Sequence, residues 1–224
     1  DTGHINCHET GAIEATGHKV LALPCRNGKL KGEQIREVVR NHWEDATHEH
    51  MVQPGMVYIS NPTEIGTIYH QKGLEELYRA CQDCGLYLYI DGARMEYGLM
   101  ARDNDLTLPF IARHCDAFTL GGTKQGALFG EALVITNPAL GKDFRYLIKQ
   151  RGGMLAKGRL LGIQFQELMR NDLYFDLSAH AIAMAMKIRA TLVDLGIPMP
   201  IASTTNQQFA VFTDSELSRL AGKY

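Results

Sequence analysis

Two short apolar runs each end in a group able to do chemistry, and their spacing sets the two groups side by side. Residues 86–90 (LYLYI) run into Asp91, followed by Gly92, Ala93 and Arg94. Residues 117–120 run through a Gly-Gly turn into Lys124, within GGTKQGALFGE. Lys124 follows Asp91 by 33 residues, about the length of one strand–helix–strand unit. Such a unit brings both groups to one edge of a parallel sheet, where α/β proteins bind ligands. A lysine amine can form a Schiff base with a carbonyl, and a carboxylate against a pyridine nitrogen keeps that nitrogen protonated. Together they meet the needs of pyridoxal 5'-phosphate. Arg94 adds a guanidinium that can fork onto a carboxylate or a cofactor oxygen. Gly121, Gly122 and Gly126 leave room beside the lysine for a flat ring. The stretch does not match the P-loop pattern GxxxxGK[ST].

His4 and Glu9 lie in TGHINCHETGAIEATGH. An imidazole can stack on a pyridine ring and move a proton near neutral pH. His4, His8 and His18 lack a compact ligand spacing on one element, so no metal is expected. Thr123, beside the lysine, and Thr119 carry hydroxyls able to reach a phosphate. Asn61, Thr63 and Thr67 follow an earlier apolar run and can line the same edge. Cys81 and Cys84 form a lone CxxC late in a helical segment and read as core thiols. Taken singly, each of these residues has an ordinary structural use, such as a turn-capping aspartate or a surface arginine. The chemical reading rests on the constellation.

The elements that must position these groups follow from periodicity. Strands are expected at 18–23, 55–60, 86–90 and 117–120, and helices at 31–46, 71–85 and 108–114. Ile35, Val38, Val39 and Trp43 share one helical face, and Leu74, Leu77, Tyr78 and Cys81 share another. The alternation implies an α/β fold with a mostly parallel sheet covered by helices on both faces. From Lys142 the character changes to long helices at 144–170 and 174–195, ended by Pro198 and Pro200. A strand at 207–213 and a helix N-cap at Asp214 or Ser215 follow. The expected division is a large α/β domain over 1–155, connecting helices over 156–196, and the start of a small α+β domain over 197–224.

Bulk properties narrow the class. A formal net charge of −2 offers no basic footprint, which argues against a nucleic-acid partner. No apolar run has the length of a membrane span. Five cysteines, odd in number and irregularly spaced, suit reduced thiols in the cytoplasm.

The motifs HINCHETGAIEATGHKV, NPTEIGTIY, LYLYIDGARMEYG, GGTKQGALFGEALVI and KGRLLGIQF, in that order along nearly the whole chain, resemble the threonine aldolase and β-eliminating lyase family of fold-type I pyridoxal phosphate enzymes. The resemblance implies the type I large domain, with a mostly parallel mixed sheet flanked by helices, and the start of the small C-terminal domain. It implies that Lys124 holds the cofactor covalently, that Asp91 pairs with the pyridine nitrogen, and that Arg94 binds cofactor oxygen or substrate carboxylate. His4 would stack over the ring with Glu9 near it, and Thr123 would help hold the phosphate. A homodimer or homotetramer acting on an amino acid is also implied. The family's glycine-rich phosphate loop is expected ahead of Asp1 and a carboxylate-binding arginine beyond Tyr224, so the chain reads as part of a longer protein. The expected reaction is cleavage of the Cα–Cβ bond of a β-hydroxy-α-amino acid to glycine and an aldehyde. The alternatives are β-elimination from a cysteine- or tryptophan-like amino acid, and an inactive α/β binding domain that retains the motifs.

Overall fold

The computed structural model describes residues 1–223. In chain order its elements are α1 (His4–Cys7), α2 (Gly32–Glu44), β1 (Met56–Ser60), α3 (Gln71–Asp83), β2 (Tyr87–Asp91), α4 (Met95–Leu99), α5 (Leu108–Arg113), β3 (Ala117–Gly121) and β4 (Glu131–Ile135). Then come α6 (Pro138–Gly141), α7 (Phe144–Gln150), α8 (Arg159–Leu168), α9 (Leu173–Asp194) and α10 (Asp214–Ala221). The sheet order is β1-β2-β3-β4, parallel across the first three strands and antiparallel at β4. The mostly parallel mixed sheet anticipated from the sequence is therefore present. β4 is an additional strand, built from the short run EALVI that follows the lysine loop.

Alternation along the strands divides the sheet into two faces. Val57, Ile59, Leu88, Ile90, Phe118 and Leu120 point into the main core, which Ile35, Leu74, Leu77, Cys81 and Ile111 complete from the helices. Tyr58, Ser60, Tyr89, Asp91 and Thr119 take the other face, where the rings of Tyr58 and Tyr89 stack 5.3 Å apart. In α2 the inward stripe is Ile35, Val39 and His42, at helical spacing, while Trp43 is 52% exposed. The stripe thus turns one residue away from the expected Trp43. At the end of α3, Gly85 has φ +67° and lets the amide of Leu86 return to the carbonyl of Cys81 at 2.9 Å, launching β2. Asp116 pins the lower end of the sheet: its carboxylate accepts from the Leu88 amide at 2.7 Å and from the Asn137 side-chain amide at 2.8 Å.

Three expected elements differ. Residues 18–23 are not a strand. They run alongside a groove of about 680 Å³ that borders β1, so their backbone finds no strand to pair with. The helix expected over 144–170 is broken into α7 and α8, because Gly152 takes φ +79° and Gly153 and Gly158 follow it. Residues 207–213 form no strand either. Gln207 and Gln208 turn their side-chain amides onto loop carbonyls instead, and Thr213 rather than Asp214 or Ser215 caps α10.

Leu88 is fully buried at the centre of the core. Leu88→Ala is expected to cost about 2–5 kcal/mol of unfolding free energy. Urea denaturation checks this as a lower midpoint at unchanged slope.

Candidate active site

β2 and β3 carry the two chemical groups to one sheet edge. Asp91 is the last residue of β2, and Lys124 lies in a 3-10 turn, Thr123–Gln125, just past β3. The strand ends are laced together by their backbones. The Gly121 amide donates to the Gly92 carbonyl at 2.9 Å, and the Gly92 amide donates to the Thr119 hydroxyl at 2.9 Å. Both glycines are required by this close approach. A Cβ on Gly92 would stand 1.9 Å from the Thr119 carbonyl oxygen, and one on Gly121 would stand 2.4 Å from the Ala93 carbonyl oxygen.

Asp91 is held from two sides. The Tyr58 hydroxyl donates to its Oδ2, and the Ala93 amide donates to its Oδ1 at 2.9 Å. Burial, with the Asp91 charge next in importance, pushes the Tyr58 phenol well above its ordinary range, so it stays a donor. The carboxyl of Glu131, opposite Gly121 on β4, is raised first by desolvation and then by Asp91, while Lys124 opposes the rise. Glu131 therefore registers both charges at one edge.

The lysine turn is gripped through its backbone. Tyr97 donates its hydroxyl to the Lys124 carbonyl at 2.8 Å. From α8, Gln164 accepts from the Leu128 amide at 2.6 Å and donates to the Phe129 carbonyl at 3.2 Å. From α9, the Tyr174 hydroxyl lies 2.7 Å from the Gly121 carbonyl. The Lys124 amine itself makes no ion pair or hydrogen bond among the described residues.

The remaining expected residues gather at the same edge to differing degrees. Arg94 is the N-cap of α4, three residues past Asp91, and is partly buried. Thr123 adjoins the lysine and is exposed. His4 and Glu9 form a half-exposed pair through His4 Nδ1. They are tied to the edge by Glu64, which accepts from the His4 amide at 3.0 Å and from the Ser60 hydroxyl at 2.6 Å. Ser60 lies in register with Asp91.

Four other polar residues are engaged in structure: Thr119, expected to reach a phosphate, and Asn61, Thr63 and Thr67, expected to line the edge. The Thr119 hydroxyl accepts from Gly92, Asn61 accepts from the Tyr69 amide, and the hydroxyls of Thr63 and Thr67 bond each other. Burial pushes the Cys81 thiol up to about 12, in keeping with a core role. Tyr58, Glu64, Glu96, Tyr97 and Tyr174 were not singled out from the sequence. Only Tyr58 left a signal, two residues before the strand end and thus on the face of Asp91.

The structure is thus an α/β sheet with an aspartate and a lysine turn at the ends of adjacent parallel strands. The family model for β-eliminating lyases matches residues 1–215, and the chain belongs to that family. Among its relatives is the low specificity L-threonine aldolase of Pseudomonas sp. (strain NCIMB 10558), 30% identical, with all of this chain aligned to 64% of that protein. The enzyme of the same description from Pseudomonas aeruginosa is 26% identical over the same shares. The threonine aldolase of Leishmania major superposes with a TM-score of 0.94 at 48% identity, covering 99% of this chain and 64% of that one. The chain thus spans somewhat less than two thirds of the length of these relatives.

Gly92→Ala is expected to part the ends of β2 and β3. Amide hydrogen exchange checks it: Gly121 should lose protection while Leu88, lower in the sheet, keeps its own.

Proposed function

We propose that this chain carries the cofactor-binding core of a pyridoxal phosphate-dependent lyase that cleaves the Cα–Cβ bond of a β-hydroxy-α-amino acid to glycine and an aldehyde. The observation that carries the reading is the lacing of Asp91 and the Lys124 turn at neighbouring strand ends, with Gly121 and Gly122 keeping that corner free of Cβ atoms. The names of the aldolase relatives support the choice of bond.

The donor set fits the cofactor. Lys124 contributes an amine with no partner among the described residues. Asp91 contributes a carboxylate whose two oxygens each accept one protein hydrogen bond, leaving a lone pair for a pyridine N–H. When bound, pyridoxal phosphate supplies an electron sink for the pair left by the broken Cα–Cβ bond. Arg94 offers a planar fork for the substrate carboxylate or a cofactor oxygen. Thr123 offers a hydroxyl to the phosphate. In the His4–Glu9 pair the carboxylate occupies Nδ1, so that nitrogen carries the proton and Nε2 is left to accept one from a β-hydroxyl.

A homodimer or homotetramer belongs to the same reading, supported by the exposed apolar side chains of Leu128, Leu155, Leu160 and Leu173 beside the lysine loop and its supporting helices. The odd cysteine count supports a cytoplasmic setting, and no helix among the described residues is long and apolar enough to cross a membrane.

Treatment with pyridoxal phosphate and borohydride, followed by peptide mapping, is expected to label Lys124, and Lys124→Ala is expected to abolish that label. A label that survives the substitution sinks the reading. With a β-hydroxy amino acid, glycine plus aldehyde is the expected product pair; ammonia plus pyruvate from a cysteine-like substrate would assign elimination instead.

A further inference from the structure

Beneath the lysine turn lies a buried carboxyl group that the reaction does not need. Glu96, on α4, and Tyr174, in the first turn of α9, are both fully buried, although they stand 78 residues apart in sequence. The Tyr174 hydroxyl oxygen is 2.5 Å from Glu96 Oε2 and 2.7 Å from the Gly121 carbonyl oxygen. Both distances are those of O–H···O hydrogen bonds.

Counting protons decides the state of the site. The chain of three oxygens contains two hydrogen bonds and so needs two hydrogens. Tyr174 supplies one, and the Gly121 carbonyl supplies none. With an ionised Glu96, both neighbours of the phenol would be acceptors competing for its single proton. The loser would face the phenol lone pair to lone pair. With a protonated Glu96 the chain closes: Oε2–H donates to Tyr174, and Tyr174 donates to Gly121. The second oxygen, Oε1, is buried and has no partner among the described residues. A bare oxygen of a neutral acid is far less costly to bury than a bare anionic one.

We propose that Glu96 is a positioning residue that acts as a neutral acid, holding the Lys124 turn by donating through Tyr174 to the Gly121 carbonyl, and that loss of its proton releases that carbonyl. On deprotonation the phenol turns its hydrogen to the carboxylate, and the backbone just ahead of Gly122, Thr123 and Lys124 loses a tether. The second tether, Tyr97 on the Lys124 carbonyl, keeps its proton over the same range, since burial raises that phenol above its ordinary value of 10.0.

The surroundings set the midpoint. Desolvation pushes the Glu96 carboxyl up to about 8, against the hydrogen bond from Tyr174 and against the charges of Lys124 and Arg94, all of which favour the anion. Glu131 on β4 faces Tyr174 with its own negative charge and helps keep that phenol protonated. Because the folded value is raised above the ordinary 4.5, folding favours the protonated form. The stabilisation is full below about 4.5, is lost as pH rises, and is gone above about 8.

The test is a pH titration of the chain with carbonyl-¹³C-labelled glycine, following the Gly121 resonance. The expected result is a shift with its midpoint near 8 in the native sequence, absent in Glu96→Gln and in Tyr174→Phe. In parallel, thermal unfolding of Glu96→Gln is expected to gain on the native chain between pH about 4.5 and about 8 and to run level above. A Gly121 resonance that stays put in the native chain, or one that still titrates in Glu96→Gln, overturns the proposal. The native titration needs no variant to fold. The role of Lys124 enters only in a second measurement, borohydride trapping of pyridoxal phosphate, expected to fall above pH about 8 in the native chain and to persist in Glu96→Gln. No trapping at any pH would remove the cofactor reading, while the carbonyl resonance would still judge Glu96.

Discussion

The structure depends on how closely two strand ends can approach. β2 passes from Asp91 into Gly92 and β3 finishes in Gly121; the two glycine backbones bond to each other directly, and any Cβ at either position would lie inside van der Waals contact with the facing carbonyl. Everything chemical at this edge is arranged around that contact. It sets Asp91 one residue before the joint and Lys124 three residues after it. Side-chain geometry at the site is therefore inherited from backbone geometry, which is stiffer and less easily disturbed.

Around the joint, polar groups fall into two sets with different surroundings. Thr119, Tyr97 and Tyr174 are buried and act on backbone atoms of the strand ends and the lysine turn, and buried Glu96 acts on the Tyr174 hydroxyl. Lys124, Thr123, His4 and Glu9 reach solvent. The buried set freezes the main chain, and the exposed set stands open at its edge. α4 belongs to both roles: its cap is Arg94, and its next two polar residues reach under the turn to α9 and across to the Lys124 carbonyl.

The parallel core and the placement of Asp91 and Lys124 at neighbouring strand ends were legible because they are written in local patterns. Apolar runs of five residues, helical stripes such as Leu74, Leu77 and Cys81, and a strand–helix–strand spacing need no knowledge of distant partners. What escaped was non-local. Residues 18–23 have the composition of a strand, but strandhood needs a neighbour, and the edge of β1 is separated from them by a groove. Residues 207–213 fail because Gln207 and Gln208 turn their side-chain amides onto loop carbonyls. Thr119 looked available for a phosphate because a sequence does not reveal which hydroxyl a neighbouring backbone will claim. Glu96 and Tyr174 could not be paired in advance, since nothing in either segment announces the other.

The long reach of Tyr174 has a consequence for the order in which the chain becomes itself. During synthesis, Gly121, three residues ahead of Lys124, emerges 53 residues before the tyrosine that clasps its carbonyl. Loop-closure entropy must be met before so distant a contact forms. The sheet can assemble from its own neighbours, yet the corner that bears the lysine gains its last fixed point only when a helix from the following segment docks. Competence of this site is thus a property of the tertiary whole, acquired after its individual parts already exist.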